Sequence, residues 1–236
     1  FGGRYFIFVR LTTACGISGV GEIYAASFAP EVVCRMAEDM FTRYLEGSSP
    51  DRIEHFWRQA HGSGFTHRPD TSVQGVVSGL EMACWDIVGK ALDRPVYALL
   101  GGLVNERLRT YTYLYPPEGA NPAAFYNAPL ASAEVAAARV AEGFSAVKFA
   151  PAGQYTVYDG RMPDLEAIAQ SVAFCREIRA AVGNRADMLF GTHGQFTAAG
   201  ALRLARQLEP FDPLWFEEPT PPDMPEEMAK VAARRP

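Results

Sequence analysis

Three stretches put chemically capable side chains where apolar runs stop. They are Lys148 in AVKFA (146–150), His193 after MLFG (188–191) and Glu217-Glu218 after LWF (214–216). An ammonium, an imidazole and a carboxylate are the parts of proton-transfer chemistry, the imidazole exchanging protons near neutral pH and the carboxylate holding a cation. Side chains alternate along a strand, so two adjacent glutamates point to opposite faces. Glu217 is the candidate ligand, and Glu218 is read as structural. A carboxylate held in a cavity needs a cation partner, and magnesium, which takes a few carboxylates plus substrate oxygens, suits that need. Lys148 could supply the countercharge instead. Each residue also has a plainer reading: Lys148 as a snorkelling or salt-bridging lysine, His193 as a loop histidine turned by nearby glycines, Glu217 as a member of an ordinary ion pair. Their joint placement at successive strand ends favours chemistry. His55, His61 and His67 lie in or after a polar helical stretch and are read as surface groups.

The elements that must position these residues follow from periodicity. From about Arg107, strand-like runs at Arg109–Tyr115, Ala146–Ala150, Met188–Gly191 and Leu214–Glu217 alternate with helical patterns at Ser132–Glu142, Asp164–Val182, Thr197–Leu208 and Asp223–Arg234. This βα alternation predicts a parallel sheet with crossover helices. Neither GxGxxG nor GxxxxGK[ST] follows the first of these strands, so a nucleotide-binding open sheet loses its usual support. A closed barrel needs eight units and roughly 250 residues. The region from 105 to 236 would then be its first half. In such a barrel the active site lies at the C-terminal strand ends, where all three candidates fall.

Upstream, Tyr5–Thr12 reads as a strand and Ile17–Ile23 as its hairpin partner. Helices are predicted to open at Pro30 and at Ser49-Pro50-Asp51, since serine caps and proline suits the first turn. A third helix, Thr71–Leu92, carries Val73, Val76, Val77, Leu80, Cys84 and Ile87 at helical spacing, with Gly75 and Gly79 marking close packing. The chain opens at Phe1 inside a strand-like run, so preceding residues are expected.

A composition of 48% hydrophobic and 21% charged residues is that of an ordinary globular chain. A net charge of -5 with no basic block gives no footprint for nucleic acid or an anionic membrane surface. No apolar run reaches membrane-spanning length. Cys15, Cys34, Cys84 and Cys175 have no CxxC spacing and sit in apolar segments, which predicts reduced, buried thiols and a cytoplasmic setting.

Four stretches in this order, GVGE (19–22), GLEMACWDIVGKALDRPVYALLGG (79–102), GFSAVKFAPAG (143–153) and WFEEP (215–219), resemble the enolase superfamily in its mandelate racemase and muconate lactonizing enzyme branch. The resemblance implies an α+β capping domain (1–104) followed by a modified (β/α) TIM barrel, of which the first four βα units are present (105–236). It implies Mg2+ held by acidic residues on the third, fourth and fifth strands, and abstraction of a proton α to a carboxylate. By position, Glu217 matches the fourth-strand metal ligand. Lys148 matches the first lysine of a KxK pattern, and His193 matches a histidine that protonates the leaving hydroxyl in sugar-acid dehydratases. Two positions depart: the third-strand ligand falls on Gly191 and the second lysine on Ala150. Gln195 or His193 would have to replace the missing ligand, and a racemase relying on the second lysine is disfavoured. The expectation is a magnesium-dependent lyase that dehydrates a sugar acid, acting as a homo-oligomer. The alternatives are a racemase, epimerase or cycloisomerase on the same scaffold, or a noncatalytic metabolite-binding member. Substrate choice is expected from Ala25–Ala29 and Gly62–Asp70.

Overall fold

The computed structural model describes residues 5–25, 29–63, 70–152 and 160–234 and divides into two compact units, 1–106 and 107–236. In the first unit, β1 (Ile7–Thr12) and β2 (Ser18–Ile23) form an antiparallel hairpin in register from Ile7 opposite Ile23 to Thr12 opposite Ser18. The turn closes through Thr13, whose N–H donates to the Ile17 carbonyl at 2.9 Å. Three helices follow, α1 (Pro30–Tyr44), α2 (Ile53–Ser63) and α3 (Thr71–Ala91), with a short α4 at Val96–Leu99. Asp70 caps α3 by accepting from Ser72 N and Val73 N at 3.0 and 3.1 Å. The predicted stripe of α3 is buried at Val76, Val77, Leu80, Cys84 and Ile87, while Val73 is partly buried. Of that stripe, Val76, Val77, Leu80 and Cys84 pack with Ile23, Val33, Met40 and Phe56 into one core.

Gly79 of α3 lies against β2 closely enough that a Cβ there would collide with Ile23 Cγ1, and a Cβ on Gly21 would collide with the Gly79 carbonyl. Strand and helix therefore meet backbone to backbone, as Gly79 predicted. Asp86 and Lys90, within the long family-like block, pin the same contact: Val20 N donates to Asp86 Oδ2 at 2.9 Å, and Lys90 Nζ donates to Ser18 O at 2.8 Å.

In the second unit four parallel strands stand in the order β3 (Thr112–Tyr113), β4 (Ala146–Phe149), β5 (Asp187–Gly191), β6 (Pro213–Glu217). The helices are α5 (Pro122–Tyr126), α6 (Pro129–Ala141), α7 (Leu165–Val182), α8 (Ala198–Leu208) and α9 (Pro225–Ala232). Each predicted βα pair is present with ends shifted by a few residues. The exception is the strand expected over Arg109–Tyr115, which shrinks to two residues. Among the described residues only one neighbour pairs with it, and Arg109 turns aside to bind Ser145 O at 2.6 Å and Asp187 Oδ2 at 2.5 Å. Val147, Phe149, Met188 and Phe190 join Phe174, Ile178, Leu204 and Leu208 in the layer between sheet and helices. Alternation then sends Lys148, Leu189, Gly191, Trp215 and Glu217 to the opposite face. Tyr111, just before β3, meets Trp215 of β6 edge to face at 5.6 Å between ring centroids. Side chains from the two outer strands touch because the sheet curls around this face.

The cysteine expectation needs correction, because Cys15 and Cys34 are exposed and only Cys84 and Cys175 are buried. Cys15 sits in the hairpin turn, where neighbouring apolar residues do not imply burial. Of the histidines read as surface groups, His55 is exposed, whereas His61 is half-buried, stacked on Trp57 at 4.6 Å and bonded to Gln74 Nε2 at 3.0 Å. His67, and most of the two expected specificity segments, lie outside the described residues. No described helix is long and apolar enough to cross a membrane.

Candidate active site

The curled face brings the three predicted residues together. Lys148 Nζ donates to Glu217 Oε1 at 2.6 Å, with Lys148 mostly buried and Glu217 one-third exposed. Lys148 belongs to β4 and Glu217 to β6, so its side chain passes over β5 between them. It crosses at Gly191, which is in register with Glu217; a Cβ built there would lie 3.1 Å from Lys148 Cε and 3.8 Å from His193 Nε2. The face around Gly191 is thus shared by an ammonium, a carboxylate and an imidazole.

Beyond β5 the chain stays locked to the segment after β6. Thr192 Oγ1 donates to Glu217 O at 2.8 Å, Gly194 N to Glu218 O at 2.7 Å, and Phe196 N to Pro219 O at 3.1 Å. His193 and Glu218 both take left-handed backbone, with φ of 53 and 46 degrees, which is uncommon for residues bearing a Cβ and concentrates at functional sites. Burial pushes the His193 imidazole below its ordinary range, and the nearby Lys148 charge adds to that, while Glu218 and Glu217 oppose it. Glu218, read from sequence as structural, therefore contributes to the field at His193.

Gln195 does not serve as the replacement ligand on this face. It is fully buried, and its Oε1 is taken by Arg161 Nη2 at 2.9 Å. Sequence reasoning missed Tyr111, whose ring lies 5.6 Å beneath Lys148 Nζ and supports the ammonium by a cation–π contact. The signal was available: tyrosines at 111, 113 and 115 alternate with the strand period.

Residues 2–101 match the family model "Mandelate racemase / muconate lactonizing enzyme, N-terminal domain", and residues 131–236 match "Enolase C-terminal domain-like". The D-galactonate dehydratase of Ralstonia nicotianae is 33% identical over 228 residues, which cover 97% of this chain and 55% of that enzyme. The D-xylonate dehydratase of Haloferax volcanii is 34% identical over 230 residues, covering 94% and 52% respectively. A crystal structure from Labrenzia alexandrii, of the mandelate racemase/muconate lactonizing enzyme type, is 61% identical with a TM-score of 0.91, covering 99% of this chain and 60% of that one. The chain spans about half the length of the curated relatives it matches.

Proposed function

This chain belongs to the mandelate racemase and muconate lactonizing enzyme branch of the enolase superfamily, and on that footing we propose that it acts within a lyase that dehydrates a sugar acid. Residues 1–104 are assigned as the capping domain and 105–236 as the first half of a (β/α) barrel, in a homo-oligomer. The observation that carries the reading is the convergence of Lys148, His193 and Glu217 around Gly191. Substrates of the aldonic acid class follow from the relatives' names, D-galactonate and D-xylonate.

Members of this superfamily are generally magnesium-dependent, and among the described residues Glu217 is the side chain through which an ion would be reached. The described donors fall short of a site. No group of three or more His, Cys, Asp or Glu side chains among them is placed to hold a metal, and Glu217 already faces an ammonium.

The chain's own groups account for the following steps. Lys148 orients the substrate carboxylate and stabilises the negative charge that develops on its oxygens as the α proton leaves. That proton goes to a base proposed to lie outside the described residues. His193 gives a proton to the β-hydroxyl, the C–O bond breaks, and water departs; the resulting enol tautomerises to a 2-keto-3-deoxy acid. Tyr111 and Glu217 fix the position of Lys148.

The test is dehydration of a panel of aldonic acids by the intact protein and by His193→Asn. The variant should lose about 100-fold or more in turnover while retaining substrate binding, the usual scale for a lost general acid. Unchanged turnover would remove His193 from the mechanism. Reaction in D2O separates the epimerase alternative, which would return labelled substrate in place of a keto acid.

A further inference from the structure

Lysine cannot ordinarily bridge two strands that have a third between them. Neighbouring strands lie about 4.8 Å apart, so a side chain on β4 must travel two spacings to reach β6, and any side chain on β5 at that level blocks the way. Here that level is Gly191. A Cβ at Gly191 would sit 3.1 Å from Lys148 Cε and 3.9 Å from its Nζ, so the stem occupies the space an aspartate would fill. The Lys148–Glu217 contact at 2.6 Å thus runs over the place where a side chain at 191 would begin.

We propose that Lys148 is the resident cation of this site, admitted by Gly191, and that it takes the place opposite Glu217 that a divalent ion would otherwise occupy. The charge balance supports this. Ammonium and carboxylate neutralise each other, so a dication entering here meets one engaged carboxylate and one positive charge. An aspartate at 191 would add a second carboxylate and displace the lysine stem. The ring of Tyr111, just before β3, lies 5.6 Å from Nζ and adds a cation–π contact to the carboxylate of β6. The inference rests on reading this face as the active site, yet it concerns cation binding in the absence of substrate.

The experiment is titration of the metal-free intact protein with Mn2+, followed by the electron paramagnetic resonance signal of the free ion. The native protein should bind Mn2+ weakly, Gly191→Asp roughly tenfold or more tightly, and Lys148→Met also more tightly, because a unit charge at about 4 Å exerts more than that tenfold effect in a partly buried site. Tight, Glu217-dependent binding by the native protein that Gly191→Asp does not improve would overturn the proposal. Should either variant fail to fold, the other decides, and Mn2+ binding by it no tighter than the native protein's would overturn the proposal. A protein inactive on sugar acids that still shows this metal pattern would defeat the dehydratase reading and leave the lysine assignment standing.

Discussion

His193 carries two constraints at one residue, a left-handed backbone and an imidazole that burial holds mainly neutral. Above its ordinary value of 6.5 both folded and unfolded chains carry the neutral ring, and the shift has no effect on stability. Below 6.5 the unfolded chain takes up the proton first, so stability falls with pH until the lowered folded value is passed. Denaturation midpoints measured at descending pH should show this decline in the native protein and a shallower one in His193→Asn. For an acid in the proposed dehydration the same shift has a kinetic face. The protonated fraction of the free enzyme is small at neutral pH, so kcat/KM should fall as pH rises through the lowered value. An alkaline limb that survives His193→Asn would assign it to another group. Lys148, His193 and Glu217 were legible as strand-end residues, and Lys148 as an alternative countercharge for Glu217; that the two side chains meet was not, since the pair joins residues separated by a whole intervening βα unit.

At the scale of elements, the contact of β2 with α3 is the feature most exposed to mutation. A Cβ on Gly21 would run into the carbonyl oxygen of Gly79, which is backbone and cannot rotate away. Gly21→Ala must therefore separate strand from helix, at a cost of about 1–3 kcal/mol or more, and the melting temperature should drop by several degrees. Gly62 in α2 provides the contrast, because nothing lies within 4 Å of the position its Cβ would take. Gly62→Ala should be neutral or stabilise by about 0.5–1 kcal/mol through helix propensity. Thermal melts of the two variants side by side check both; equal effects would mean that the close approach contributes nothing. The packing role of Gly79 was visible from its place on the apolar stripe of α3, but the collision partner was not, because Gly21 lies in a different element far along the chain.

At the scale of the whole molecule, the thiols report how the two units bury their cores. Burial raises the Cys84 thiol to about 11 and pushes Cys175 up further, whereas Cys15 and Cys34 are exposed. A thiol reagent at neutral pH should label Cys15 and Cys34 rapidly in the native protein, and Cys84 and Cys175 only after denaturation, as mapped by peptide mass. Rapid native labelling of Cys175 would contradict the packed layer between sheet and helices. Sequence alone was enough for the alternation of strands and helices, the buried stripe of α3, and the strand-end placement of all three candidate residues, because these follow from local periodicity and short-range chemistry. Tertiary structure decided which face each strand turns inward, that Gln195 is taken by Arg161, and that Lys148 reaches across β5 to Glu217. Those outcomes depend on strand order and curvature, through which a missing side chain at Gly191 becomes the passage for a charge two strands away.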